Sequence, residues 1–346
     1  FVDARSPTAF YTLPLHDALP IFWRLYWRIK FGADRETRDR LLAGSQSLFS
    51  KSHGYPTAQI VLQQYHLRLA AWGLASRDES SDRRYYHTVA AYYDQESERF
   101  EEHYRNNRIL QRLRDDFRRI TEQYPFQSCL EIGYGPGLDL RYFAEKYPDR
   151  CVRGIDVSSG MWRQACANLQ HLAAADVRAD IGTPEELSRL YPDQRFDLIY
   201  CYYGALNTVT DLDVVAGRLR HHLSDQGVMV LTFVNRWYLF DMVWNLLRLR
   251  WRKSVARLQP EWPGYAPQRP LASRCRSSRE IKRAFQPWFT LVERKGYSIL
   301  YPAWFRHRFI DGSSYLGRLL WRIDQLFNKT VFWNCGEYSL YVFRPR

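Results

Sequence analysis

The chain has no run of about 18 apolar residues, so no part of its 346 residues reads as a membrane-spanning helix. Cysteine is sparse: the six residues at 129, 151, 166, 201, 275 and 335 form no Cys-x-x-Cys and have no histidine partners at metal spacing. That argues against a zinc framework, and no metal site is expected. Cys129, Cys151 and Cys201 fall in apolar, strand-like segments, where a thiol acts as a small apolar side chain; a reducing cytoplasm fits best. The composition, 46% hydrophobic and 25% charged, is that of a soluble globular protein long enough for one large or two modest domains.

A dinucleotide-type Gly-x-Gly-x-x-Gly is also missing, because Leu138 stands where its third glycine would be. What is there is Glu-x-Gly-x-Gly-x-Gly, with Glu131 followed by Gly133, Gly135 and Gly137. A short apolar run (Cys129, Leu130, Ile132) reads as a buried strand ending in these glycines, which let the backbone turn sharply and approach a ligand. Pro136 suits a first helical turn, and 138–146 can be the helix. A carboxylate at this corner suits an ammonium and suits a pyrophosphate badly. Nineteen residues after Gly137, Asp156 closes a second apolar segment, where an acid can accept hydrogen bonds from ribose hydroxyls. The pattern reads as a nucleoside-binding corner.

In Glu131–Gly137, Gly154–Met161 and Phe196–Asn207 the chain resembles the class I S-adenosylmethionine-dependent methyltransferases, over roughly residues 85–346. The resemblance implies that Glu131, Gly133, Gly135 and Gly137 hold the methionine moiety and that Asp156 holds the ribose. It assigns Asp180 to the adenine amino group and Met161 to the adenine face. Tyr134 stands where a small residue is more usual, and either crowds the loop or lies over the ligand. With Tyr134, the neighbouring strand-end residues Val157, Ile181, Cys201 and Tyr202 complete the expected cofactor-binding set. The expected fold is α/β: a doubly wound, seven-stranded, mostly parallel sheet with N-terminal helices and a helical insertion after the fifth strand. The expected activity is in-line transfer of a methyl group to a small, lipophilic acceptor. A non-catalytic module that binds S-adenosylmethionine and docks on a membrane or partner is the alternative.

Alternating segments agree with such a sheet. Strands are expected at 127–132, 152–156, 176–179, 196–202 and 228–234, with helices at 138–146, 160–170, 184–190 and 211–223 between them. Helices Tyr85–Tyr104 and Ile109–Gln123 would precede the first strand and cover the ligand mouth. Ser277 and Glu280 form a capping box for a helix to Phe285. Strands Phe289–Ile299 and Glu337–Phe343 follow, separated by a helix Ser314–Phe327, and the last strand suits an antiparallel insertion. Segments 235–278 and 311–328 are expected lid or substrate-side insertions. Residues 1–21 resemble translated sequencing-adapter read-through and are set aside as an artefactual tail. In 22–84, Gln59–Leu74 has the pattern of an amphipathic helix and Ala75–Arg84 reads as a polar linker.

Charge marks a second feature. The net charge is +13, and residues 236–346 hold 21 Lys+Arg against 7 Asp+Glu, so all the excess lies in the C-terminal third with eight of the twelve tryptophans. Within Arg236–Lys253, Trp237, Trp244 and Trp251 recur every seven residues, as if on one helix face, while Arg248, Arg250, Arg252 and Lys253 crowd its end. Three readings stay open: a lid with buried tryptophans, an interfacial helix on an anionic membrane, and a nucleic-acid contact. Against nucleic-acid methylation, Tyr200–Gly204 lacks the Asp/Asn-Pro-Pro-aromatic motif, and no proline precedes Cys201. Tyr202, Tyr203 and Asn207 are the catalytic candidates just past the fourth strand, and Tyr92 and Tyr93 could close over the donor. His221 and His222 are expected on the surface, on the far side from the site.

Overall fold

The structure, a computed structural model, describes residues 79–346 except 173–174, 266–270, 272, 308–311, 313 and 329. The expected tail 1–21, the expected helix Gln59–Leu74 and most of 22–84 lie outside the described residues. Helix α1 spans Glu79–Arg105, so residues 79–84 are helical, in place of the expected linker. Polar residues such as Glu, Arg and Ser are compatible with a helix when a packed segment extends it.

The other elements follow the expected alternation. They are α2 Arg108–Thr121, β1 Ser128–Ile132, α3 Leu138–Lys146, β2 Cys151–Asp156, α4 Ser159–Leu169 and β3 Val177–Ile181. After them come α5 Leu187–Leu190, β4 Phe196–Cys201, α6 Leu212–His222 and β5 Leu223–Val234. The C-terminal part holds α7 Leu239–Leu247, α8 Trp251–Ser254, α9 Ser278–Phe285, β6 Phe289–Tyr297, α10 Tyr315–Phe327 and β7 Tyr338–Pro345. Helix 184–190 of the sequence reading is split: a 3-10 turn at Pro184–Glu186 precedes α5. Ser277 and Glu280 close both halves of their capping box, with the Ser277 N–H donating to the Glu280 carboxylate at 2.8 Å.

The seven strands form one sheet in the order β3-β2-β1-β4-β5-β7-β6. Strands β1 to β5 pair in parallel, and β7 inserts antiparallel between β5 and β6, with Val230 opposite Val342. Period-two alternation sorts the side chains into two cores. Tyr200, Val228, Val230, Leu340 and Val342 point to the face covered by α2, α3 and α4, against Leu113, Phe117 and Phe143. Ile199, Met229, Leu231, Tyr341 and Phe343 point to the other, against Val215 and Leu219 of α6 and Ile281 and Phe285 of α9. Each such large side chain, fully buried, contributes about 1.5–3 kcal/mol. With both faces covered, the parallel strand ends are left as the place where a ligand can enter.

The reading of Arg236–Lys253 as one helix is corrected. Leu249 takes a left-handed backbone (φ 55°), which stops α7 and restarts the chain as α8, and Trp237 precedes α7. Trp244 and Trp251 are exposed, so the buried-lid reading fails as well. His222 corrects another expectation. It is buried beneath α6, its Nδ1 3.1 Å from the Gln194 carbonyl, while His221 is exposed. Among the described residues, no helix is long and apolar enough to cross a membrane, and no His/Cys/Asp/Glu group could hold a metal ion.

Candidate active site

The glycine corner is built by three residues with three different local reasons. Gly133 continues β1 by donating its N–H to the Ile155 carbonyl at 2.8 Å, then turns at φ 73°. A Cβ there would lie 2.3 Å from the Ala205 Cβ, so packing forbids a side chain. Gly135 (φ 56°) has open space where its Cβ would be, and its N–H donates to Asp156 Oδ2 at 2.9 Å. Gly137 packs against Ala165 of α4, and its left-handed backbone opens α3. Asp156 Oδ1 accepts from the Ser158 N–H at 3.0 Å. The end of β2 is thereby locked to the loop after β1.

A cavity of about 250 Å³ opens at these strand ends. Of the expected cofactor residues, Glu131, Gly133, Tyr134, Gly135, Asp156, Val157, Met161 and Tyr202 line it. Gly137, Asp180, Ile181 and Cys201 do not line it. The Asp180 carboxylate is taken by the Arg178 guanidinium (2.6 Å) and the Tyr191 hydroxyl (2.7 Å). Ile181, on the edge strand, is exposed, and Cys201 faces the core on the α6 side. Tyr134 turns its ring into the protein against Gly154 of β2, where a Cβ would meet it at 2.8 Å. Its hydroxyl donates to the Asp180 carbonyl at 3.2 Å. The bulk at 134 is accommodated by the absence of bulk at 154.

Helix α1 closes the cavity with Tyr86, Val89, Tyr92, Tyr93 and Phe100. A residue with no signal in the sequence holds it there. Asp94 accepts from Ser158 Oγ (2.6 Å) and the Gly160 N–H (2.7 Å), capping α4 from a neighbouring helix. These bonds outweigh partial burial and keep the Asp94 carboxyl below its usual range.

The catalytic candidates line the cavity but have committed polar atoms. Tyr202 donates to Thr121 Oγ1 at 2.6 Å, and Tyr203 to the Leu110 carbonyl at 2.8 Å. Asn207 is used in full: its amide donates to the Val234 and Arg274 carbonyls and its oxygen accepts from the Val234 N–H. It positions the loop after β4.

The electrostatics centre on three buried acids, Glu131, Asp139 and Asp156, and two arginines, Arg114 and Arg118. Burial and the nearby Asp139 raise the Glu131 carboxyl well above its usual range, and the Tyr200 hydroxyl donates to it at 3.2 Å. Asp139 accepts from Arg118 at 2.6 Å and lies 3.5 Å from Arg114 Nε. Arg114 lines the cavity, and its buried Nη1 has no hydrogen-bond partner. Burial also pushes Asp156 up to about 6, against the backbone bonds that favour its charge.

Residues 129–227, which carry β1 to the start of β5 and most of this corner, match the family model described as "Methyltransferase domain". Over these residues, less than a third of the chain, it is similar to a methyltransferase domain. It is similar to trans-aconitate 2-methyltransferase of Deinococcus radiodurans, 29% identical over 116 residues, which cover 34% of this chain and 41% of that protein. The matched region thus spans less than half of that relative. Similar solved structures include a TehB-like SAM-dependent methyltransferase from Corynebacterium glutamicum (14% identity, 73% of this chain and 99% of that one, TM-score 0.42). A geranyl diphosphate C-methyltransferase from Streptomyces coelicolor is another (14% identity, 68% and 81%, TM-score 0.45).

Beyond the glycine corner the cavity continues into an aromatic chamber of Trp262, Tyr265, Trp304 and Tyr338. The Tyr265 ring lies 4.8 Å from both Trp262 and Trp304. A buried ion pair underlies it: Arg257 donates to Glu337 at 2.7 Å and stacks on Trp262 at 4.7 Å. Tyr265 also donates to Glu337. The turn before Trp304 is fixed by Asp324 of α10, which accepts the N–H groups of Ser298, Leu300 and Tyr301. Of the expected insertion 235–278, Trp262, Gly264, Tyr265, Leu271 and Ser273 line the cavity, whereas none of the described residues of 311–328 does. Nothing local in the sequence marks this chamber, because its walls come from positions up to 76 residues apart.

Proposed function

We propose that this protein transfers a methyl group from S-adenosylmethionine to a small, lipophilic acceptor. The observation that carries the reading is one continuous cavity with a charged end at Glu131, Arg114 and Asp156 and an aromatic end at Trp262, Tyr265, Trp304 and Tyr338. The charged end fits the donor. Asp156 has two backbone donors on its carboxylate, which offers about four acceptor sites, so the ribose hydroxyls can still bind it. Gly135 faces open space, and the Arg114 guanidinium at the cavity wall suits the donor's carboxylate. Glu131, whose carboxyl is raised above its usual range by burial and by Asp139, lies at the same end and suits the donor's ammonium. Met161, Val157 and the Tyr134 loop would flank the base.

S-adenosylmethionine, when bound, supplies a methyl group on a sulfonium that is already electrophilic. The chain's part is to bind, to align and to keep water out, and alignment contributes roughly 7–11 kcal/mol in the best intramolecular cases. The aromatic walls exclude water and favour an apolar acceptor, or a cationic one through their ring faces. Because the polar atoms of Tyr202, Tyr203 and Asn207 are committed to the fold, the reading favours an acceptor whose nucleophile needs no proton removed by these residues. Incubation with methyl-labelled donor and fractionated lipid or quinone extracts tests it. Label in an apolar small molecule is expected; binding without transfer to any fraction would favour the non-catalytic module.

A further inference from the structure

Helices α7 and α8 carry apolar side chains outward, in quantity and at a prominent place. Val243 is 53% exposed, Leu247 75%, Leu249 88% and Trp251 71%. The left-handed turn at Leu249 is what makes this surface protrude: it closes α7 through the Arg250 N–H to Asn245 carbonyl bond (2.8 Å) and lifts Leu249 and Trp251 to the outside. Arg248, Arg250, Arg252 and Lys253, all exposed, are interleaved with these side chains. The acid of this stretch, Asp241, is neutralised by Arg306 at 2.5 Å. Arg306 in turn lies over the Phe240 and Trp244 rings, two residues from Trp304 of the aromatic chamber. Arg306 thus ties α7 to the short turn Trp304–Arg306, whose first residue lines the cavity.

We propose that residues 237–255 form an interfacial docking surface for an anionic lipid bilayer. Leu247, Leu249 and Trp251 enter the headgroup–acyl boundary, and the four cations meet lipid phosphates around them. The charge pattern selects this occupant. A second copy on a two-fold axis would set the same cations face to face. Nucleic acid would satisfy the cations but leave three protruding aliphatic side chains in water. A bilayer satisfies both sets at once, and it brings a lipophilic acceptor to the aromatic end of the cavity. The surface does not depend on the donor reading, because lipid binding is measured without S-adenosylmethionine.

The test is co-sedimentation of the full chain with phosphatidylcholine vesicles and with vesicles of phosphatidylcholine and phosphatidylglycerol, at low and high salt. Binding to the anionic vesicles alone, weakened by salt, is expected. Each basic residue at an anionic surface contributes about fivefold, so joint replacement of Arg248, Arg250, Arg252 and Lys253 by serine should weaken binding roughly 10²–10³-fold. Leu247→Ser with Leu249→Ser and Trp251→Ser should also release the protein, while thermal melts of both variants stay at the parent value because the replaced side chains are in solvent. Equal affinity for neutral and anionic vesicles would overturn the proposal. So would no vesicle binding, displacement from vesicles by a duplex oligonucleotide, or self-association that the serine variants abolish.

Discussion

Alanine at Gly135 and at Gly133 should damage the protein in two different ways. Both positions have left-handed backbone, at φ 56° and 73°, which costs a residue with a Cβ about 1–2 kcal/mol. At Gly133 the new methyl would also meet the Ala205 Cβ at 2.3 Å, and overpacking of that kind costs about 1–3 kcal/mol more. Gly133→Ala should therefore lose about 2–5 kcal/mol, or about 4–20 °C in Tm at 2–4 °C per kcal/mol. At Gly135 the methyl meets nothing in the protein, so the stability loss stays near the backbone strain of about 1–2 kcal/mol. That methyl would instead occupy space meant for the donor, and S-adenosylmethionine affinity should fall more than tenfold, about 1.4 kcal/mol. Thermal melts and titration calorimetry on both variants separate the two effects. Adding Ala205→Gly to Gly133→Ala should restore the packing part of the loss and leave the strain. Parent-like donor affinity in Gly135→Ala, or equal melting of the two variants, would refute the reasoning.

Two further outcomes follow from buried acids. Asp156, pushed up to about 6 by burial, must be ionised to accept the ribose hydroxyls. Donor affinity should be level above about pH 7 and fall toward tenfold per unit below about pH 6. Calorimetry between pH 5 and 8 reads the affinity; a flat profile would contradict it. Glu337→Gln would leave the buried Arg257 without its counter-charge and should cost about 3–5 kcal/mol; a loss below about 1 kcal/mol in denaturant unfolding would show that the pair does not support the aromatic chamber.

The glycine corner was legible in the sequence because it is local: Glu131 to Gly137 is one strand and one turn, and Asp156 closes the next strand of the same unit. The sheet was legible for the same reason, since alternating apolar segments force a parallel arrangement. Legibility failed where long-range pairing decides. Asp180 stands at the right strand end, yet it does not line the cavity and pairs with Arg178 and Tyr191. Asp94 looks like one more polar residue on a helix until the start of α4 is brought to it. The heptad spacing of Trp237, Trp244 and Trp251 gave a false helix, because spacing says nothing of the left-handed turn at Leu249. The ambiguity of Tyr134 needed Gly154, which lies in a different strand, to resolve it.

The central claim is that this cavity holds S-adenosylmethionine with its ribose on Asp156. Titration calorimetry of the full chain and of Asp156→Ala with S-adenosylmethionine at pH 7.5 or above tests it most directly. The parent should bind one donor per chain, and the variant, shown to be folded by a cooperative melt, should lose about 1–3 kcal/mol, a fall of roughly five- to 150-fold. No binding by the parent, or equal affinity in a folded variant, would contradict the account.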